Sequence, residues 1–284
     1  VSAHVRERKA VLVTGASSGI GELTAGELVR RGFHVFAGVR AAADATRLAA
    51  LGPRCTPLRL DVTDAESIAA AAAAMSARGL YGLVNTAGVV VAAPLEYLPI
   101  DELRHQFEVN VIGALAMTQA VLPLLRRSLG RVINVGSIAG RMALPFAGPY
   151  AASKGALDLL TQSLRMELAP FDVGVAYIEP GSHRTPIWAR SRSAADAALD
   201  RLPPLGRARY GAPLAALRAI MTAAEQRGGD PQRVARIIAD ALQTHHLRGR
   251  YTIGADTRAR MLFGAIPQAV RERAMARRLN AGRA

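Results

Sequence analysis

Tyr150 and Lys154 stand four residues apart in PYAASKGAL. On a helix this spacing puts both side chains on one face, one turn apart. A free phenol titrates near ~10, too high for ready proton donation with recovery at neutral pH. A cation one turn away stabilises the phenolate and lowers that value. The pair therefore predicts a group that gives a proton to an oxygen during reduction and takes it back during oxidation. Lys154 is one of two lysines, with Lys9, among 36 basic residues, so a compact ammonium here stands out against an arginine-rich background. Ser137 closes the apolar run RVINVGS at the carboxyl edge of a strand, where its hydroxyl would orient a carbonyl or alcohol oxygen for Tyr150. Asn110, in FEVNVIG, falls mid-helix, where Asn is a poor residue. It either holds a water linking Lys154 to solvent or is satisfied by a local kink.

A second group of residues suits a dinucleotide. VLVTGASSGIGELTAGEL carries Gly15, Gly19 and Gly21 between a strand and a helix. Gly15 permits a tight turn, Gly19 lets backbone approach a pyrophosphate, and Gly21 lets the helix pack on the strand, its N-terminus facing the phosphates. The spacing differs from the commoner G-x-G-x-x-G. The ribose-reading residue is expected ~20 positions on, and Arg40 in FAGVR falls there. An acid would clasp the ribose hydroxyls of NAD, whereas Arg pairs with a 2′-phosphate, so NADP is expected over NAD. Alternatively Arg40 stacks on the adenine or faces water, and Asp44 competes for the ribose. Asp61 and Val62 would meet the adenine, unless Asp61 caps the next helix, a role open also to Asp64. Asn85, Ala87 and Gly88 end a strand beside the ribose. Pro180, Gly181 and Thr185 would hold the nicotinamide carboxamide, with His183 a loop residue making a minor contact.

These groups need a scaffold. AVLVT (10–14), HVFAGV (34–39), TPLRL (56–60), YGLVN (81–85), RVINVGS (131–137) and VGVAYIE (173–179) read as strands, separated by helical patterns about 19–31, 65–77, 101–127 and 151–169. Strands apolar on both faces, alternating with helices, predict an α/β fold: one doubly wound parallel sheet covered by helices. After Gly181 the pattern changes. Residues 182–229, rich in Arg and Ala with Pro203-Pro204 and Gly228-Gly229, read as a helical lid inserted with hinges. A helix at 231–243, a strand RYTIG at 250–254 and a basic tail over 256–284, helical to about 278, complete a single domain spanning 1–284.

With 284 residues, half of them hydrophobic, and a net charge of +14, the chain can bury a large core. A single cysteine, Cys55, excludes an internal disulfide and a Cys-based zinc site, and no metal is expected. Apolar stretches such as 80–95 are broken by Gly, Asn, Thr and Pro, so no membrane span is expected. The first residues read as a strand start rather than a signal peptide, and a cytoplasmic chain is expected. The positive charge is scattered; it implies a basic surface without a specific partner, or attraction to acidic ligands, and no nucleic-acid motif accompanies it. In the tail, Arg258, Arg260, Arg271, Arg273, Arg277 and Arg278 lie near Leu262, Phe263 and Ile266. The tail either packs on its own subunit or a partner, or meets a membrane surface.

Assembled, TGASSGIG (14–21), NTAG (85–88), Asn110, Ser137, the Tyr150/Lys154 pair and Pro180-Gly181 resemble the short-chain dehydrogenase/reductase family, in order and spacing, over about residues 9–255. The resemblance implies a Rossmann-type domain of about seven strands and a Ser-Tyr-Lys-Asn tetrad. It also implies a glycine turn whose Ser17, Ser18 and Ile20 contact the cofactor, and hydride transfer between nicotinamide and a carbonyl carbon. Thr86 stands where the family usually has a second Asn; a tolerated change with a different local hydrogen bond is expected. LRMELAPFDVGVAYIEPG and TPIW are similar to the branch near hydroxysteroid and retinol dehydrogenases. The implied substrate is a small-molecule ketone, aldehyde or alcohol. Ile187, Trp188, Leu202, Leu205, Leu214 and Met221 either line an apolar pocket for a lipophilic substrate or form the lid's own core. Rival readings are a β-ketoacyl thioester reductase receiving an acidic carrier, and a nucleotide-sensing binding protein without turnover. The resemblance also implies a homodimer or homotetramer built on 101–127 and 151–169.

Overall fold

The apolar runs form strands buried on both faces: β1 (Ala10–Thr14), β2 (His34–Val39), β4 (Gly82–Asn85), β5 (Arg131–Val135) and β6 (Gly174–Pro180), with the more open β3 (Cys55–Arg59) and β7 (Arg250–Ile253) at the edges. The computed structural model describes residues 9–254, 257 and 266–280. All seven strands pair in parallel, in the order β3-β2-β1-β4-β5-β6-β7. The winding reverses between β1 and β4, and the crevice beyond their carboxyl ends is where such sheets receive ligands.

Helices cover both faces. One core gathers α1 (Gly19–Arg30), α2 (Ala42–Ala49) and α9 (Gln232–Gln243) through Ala25, Leu28, Leu48, Val234 and Ile238. The other gathers α3 (Ala65–Met75) and α5 (Gly113–Arg127) through Ile68, Met75, Met117 and Val121, with Leu168 of α6 (Gly148–Leu168). The alanine run inside α3 is ordinary helix, capped by Asp64, whose carboxylate accepts from the Glu66 N–H at 2.9 Å. This leaves Asp61 free of that duty.

The helix expected over 101–127 is interrupted. Helix α4 (Ile100–Phe107) passes through a π-helical turn at Glu108–Ile112 before α5, and Asn110 sits at its centre. Such turns recur at functional sites because the extra residue redirects backbone and side chain. By length and composition the stretch Ile100–Arg127 would suffice to cross a membrane, but over half of its apolar window is buried in the fold, as in a core helix. Residues 182–229 hold α7 (Ile187–Arg201) and α8 (Pro204–Gln226), broken at Pro203, with Pro204 at the first position of α8. Of the expected tail, residue 257 is helical, and a helix α10 (Gln268–Asn280) lies against α8 of its own chain. Arg258, Arg260, Leu262 and Phe263 fall outside the described residues, as do residues 1–8.

Candidate active site

The glycine turn is shaped by two close approaches. Gly15 has φ +62°, and a Cβ there would lie 2.7 Å from the Ala87 Cα. A Cβ at Gly21 would lie 2.3 Å from the Gly15 carbonyl oxygen and 2.7 Å from the Thr86 hydroxyl, so α1 rests directly on the strand ends. Thr86 braces the same junction. Its hydroxyl donates to the Thr14 carbonyl, while Thr14 Oγ1 accepts from the N–H groups of Thr86 and Ala87, each at 3.2 Å. This is the local bond expected of a threonine at that position.

One continuous cleft runs from this turn across the carboxyl edge of the sheet. Ser17, Ser18, Gly19 and Ile20 face it beside Gly15 and Gly21; Arg40 enters from the end of β2, and Asp61 with Val62 from the end of β3. Ala87 and Gly88 line it beyond β4, Ser137 beyond β5, Tyr150 and Lys154 from α6, Pro180 at the end of β6, and Gly181 and Thr185 beyond it. Asp61 is not a helix cap: its carboxylate accepts from the Thr63 N–H at 3.0 Å and hydroxyl at 2.7 Å. The Thr63 N–H is the main reason its carboxyl titrates below the usual range, with Arg40 adding to the effect. Asp44 is engaged by Arg47 at 2.9 Å, Arg47 also reaches the Ser17 carbonyl, and Asp44 does not line the cleft.

Asn85 and Asn110 do not line the cleft. Strand alternation turns Asn85 behind it, where its amide meets the Asn134 side-chain oxygen at 2.9 Å and the Ala114 carbonyl at 3.2 Å. Asn110 spends its amide locally: Oδ1 accepts from the Val89 N–H at 2.9 Å, and Nδ2 donates to the Val89 carbonyl at 3.1 Å and to Ser153 Oγ at 3.0 Å. Ser153 in turn donates to the Tyr150 carbonyl at 2.8 Å. The Asn110 side chain thus fixes the loop beyond β4 against the first turns of α6. Gln106, one turn earlier, grips the same loop through Val89 and Val91, both at 2.7 Å.

Lys154 is 5% exposed and donates to the Val135 carbonyl at 3.0 Å, with Nζ 5.9 Å from the centre of the Tyr150 ring. Burial lowers its titration to about 8. Tyr150 also departs from expectation: burial raises its pKa, opposed only in part by a hydrogen bond with Ser137. The predicted depression by Lys154 is absent: desolvation of the phenolate is the largest influence, and the Ser137 hydrogen bond is what lowers the titration against it. The arrangement is a protonated phenol beside a serine hydroxyl, suited to donating a proton to an oxygen between them.

Ser137 has its own support. Its Oγ accepts from the Ala139 N–H at 3.1 Å, and its N–H points to the Tyr177 hydroxyl at 3.4 Å. Tyr177, in β6, donates to the Lys154 carbonyl at 3.0 Å, so one buried phenol joins the serine loop to the lysine turn. Gly136 makes room for it: a Cβ there would lie 1.8 Å from the Tyr177 oxygen.

A family model described as short chain dehydrogenase matches residues 9–196. The chain belongs to the short-chain dehydrogenase family. An uncharacterized oxidoreductase, YusZ, of Bacillus subtilis is 36% identical over 277 residues, covering 91% of this chain and 94% of its own. Human retinol dehydrogenase 16 is 37% identical, over 93% of this chain and 85% of the relative, which places the chain near the retinol dehydrogenases. Among solved structures, a short-chain dehydrogenase of Burkholderia cenocepacia in complex with NADP superposes with TM-score 0.72 at 29% identity, covering 94% of this chain and 98% of that one.

In this short-chain dehydrogenase the cleft continues under α7 and α8. Ile187, Trp188 and Met221 line it, whereas Leu202 and Leu214 are buried elsewhere and Leu205 is exposed. Trp188 is pinned by donating to the His183 carbonyl at 2.7 Å, and His183 Nδ1 donates to the Gly181 carbonyl at 3.1 Å. Tyr177, Gln106 and the buried Glu179 escaped the sequence reading. A tyrosine inside an otherwise apolar strand, two residues from a Glu, was the available signal, since a buried phenol requires a partner. Among the described residues no His, Cys, Asp and Glu cluster could hold a metal ion.

Proposed function

We propose that this short-chain dehydrogenase interconverts a lipophilic ketone or aldehyde with its alcohol, using NADP in preference to NAD. The observation that carries the reading is that Ser137, Tyr150 and Lys154 share one cleft with the glycine turn. The residues fit a dinucleotide: the turn leaves no room for side chains at Gly15 and Gly21, and the first turn of α1 presents backbone N–H groups to the same cleft. The nicotinamide supplies hydride when bound. Ser137 holds the substrate oxygen, Tyr150 passes its hydroxyl proton to that oxygen, and Lys154 places charge beneath them. Asn110 acts through Val89 and Ser153 as a positioning residue. Holding the reacting groups in register supplies much of the rate.

NADP preference rests on Arg40 at the end of β2, and the NADP complex of the Burkholderia cenocepacia relative supports it. The lipophilic substrate rests on Ile187, Trp188 and Met221 along the cleft, and on the retinol dehydrogenase relatives. We read residues 182–229 as a substrate lid on a single domain. The exposed Ile112, Leu159 and Met166 on the α5 and α6 side support a homodimer or homotetramer, which light scattering after gel filtration would count. The deciding experiment follows NADPH and NADH oxidation with steroid, retinoid and acyl ketones beside small sugars, in wild type, Tyr150→Phe and Arg40→Ala. Turnover of lipophilic ketones, lost in Tyr150→Phe, with the NADPH advantage lost in Arg40→Ala, supports the reading. Turnover confined to polar sugars refutes the substrate class. Nucleotide binding with no turnover on any substrate favours a sensing role.

A further inference from the structure

A guanidinium from the segment that covers the cleft reaches the glycine turn. Arg190, in the first turn of α7, donates through Nη2 to the Ser18 hydroxyl at 2.6 Å and lines the cleft. Ser18 is the N-cap of α1, yet its side chain makes no capping bond, so its hydroxyl is committed to Arg190 rather than to the helix. The entrance to α7 is seated on the same turn. A Cβ at Gly19 would touch Pro186 Cδ at 3.6 Å and Thr185 Cβ at 3.7 Å.

Charge sets Arg190 apart from most of its neighbours, Arg207 excepted, which bonds backbone carbonyls. Arg192, two residues on, is paired with Glu225, and Arg201, Arg209 and Arg218 of the same two helices are also paired with carboxylates. Arg190 forms no ion pair among the described residues, and it is exposed to the cleft. An unpaired guanidinium facing a helix N-terminus concentrates positive potential where an anion would sit, and its fork matches phosphate oxygens. A serine hydroxyl is a weak partner that a phosphate would displace.

We propose that Arg190 is a phosphate clasp: it binds a phosphate group of the dinucleotide and thereby couples seating of α7 to occupation of the cofactor cleft. The inference rests on the reading that the chain binds NADP(H). It adds a second cation to Arg40, on a different element and with a different dependence on closure.

The test measures dissociation constants of NADPH, NADH and ADP-ribose by fluorescence or calorimetry for wild type, Arg190→Ala, Arg190→Lys and Arg40→Ala. It also measures hydrogen exchange over residues 187–201 with and without NADPH. A charge-assisted bond to phosphate at an exposed rim predicts about tenfold weaker binding in Arg190→Ala, partly restored by Lys. Weakening of all three ligands by a common factor identifies the diphosphate; weakening of NADPH alone identifies the 2′-phosphate. Either result, with nucleotide-induced protection of 187–201 lost in the variant, supports the clasp. Unchanged constants in Arg190→Ala beside a wild type that binds NADPH overturn it. A wild type that binds neither NADPH nor NADH overturns the cofactor reading instead.

Discussion

Replacing Lys154 by Met should abolish turnover and stabilise the fold. Burial displaces the Lys154 titration from 10.5 to about 8. At ~1.4 kcal/mol per factor of ten, the folded state carries a penalty of about 3 kcal/mol for holding this ammonium at neutral pH. The unfolded chain binds the proton more tightly, so stability falls as pH drops from 10.5 through about 8 and stays at its lowest below that. Methionine is similar in length and apolar, and so removes the penalty. It also loses the bond to the Val135 carbonyl at 3.0 Å, which costs about 1 kcal/mol. The net expectation is a gain of about 2 kcal/mol at pH 7 that disappears near pH 10. Equilibrium urea denaturation at both pH values measures it, as a shift in midpoint at constant slope. Tyr150→Phe, which removes no buried charge, should lack this pH dependence. A destabilised Lys154→Met at pH 7, or a difference equal at both pH values, refutes the argument that desolvation governs this site.

Because burial raises the Tyr150 titration, the phenol stays protonated through neutral pH. Carbonyl reduction should therefore be nearly flat over about pH 6 to 7 and fall as Lys154 loses its proton near 8; a kcat/KM profile checks this, and reduction unchanged well above pH 8 contradicts it. Gly136→Ala should prevent soluble folding, since its Cβ would lie 1.8 Å from the Tyr177 oxygen and 1.9 Å from Cζ. Adding Tyr177→Phe should not rescue it, whereas Tyr177→Ala should restore soluble yield. Glu179→Gln removes the carboxylate that Arg141 grips at 2.5 and 2.7 Å and Arg250 at 2.9 Å. With both guanidiniums about one-third exposed, a loss of about 2 kcal/mol in urea denaturation is expected, below the fully buried case.

Tyr150 and Lys154 were legible because a four-residue spacing has one meaning on a helix, and the glycine turn because its neighbours are an apolar strand and a helix. The parallel sheet was legible because a strand apolar on both faces must be covered on both. Arg40 could be located by counting along a βα unit, since that distance is set by the length of the helix between two strands. Asn85 could not be assigned correctly: one step of strand alternation decides whether it faces the cleft or Asn134. Asn110 stands out in the sequence as an anomaly within a helix, but its partners, Val89 and Ser153, come from distant segments.

What the sequence alone determined was a constellation: the chemical groups present, their order, and the local elements that carry them, all set by short-range periodicity and turn chemistry. Only the tertiary structure decided how those groups are tuned. It set burial, which reversed the expected shift of Tyr150 and lowered Lys154; the junctions made by Tyr177 and Thr86; and the reach of Arg190 onto Ser18. Desolvation and long-range contact depend on what surrounds a side chain in space, and residues 172 positions apart in the chain share no local pattern that could announce their meeting.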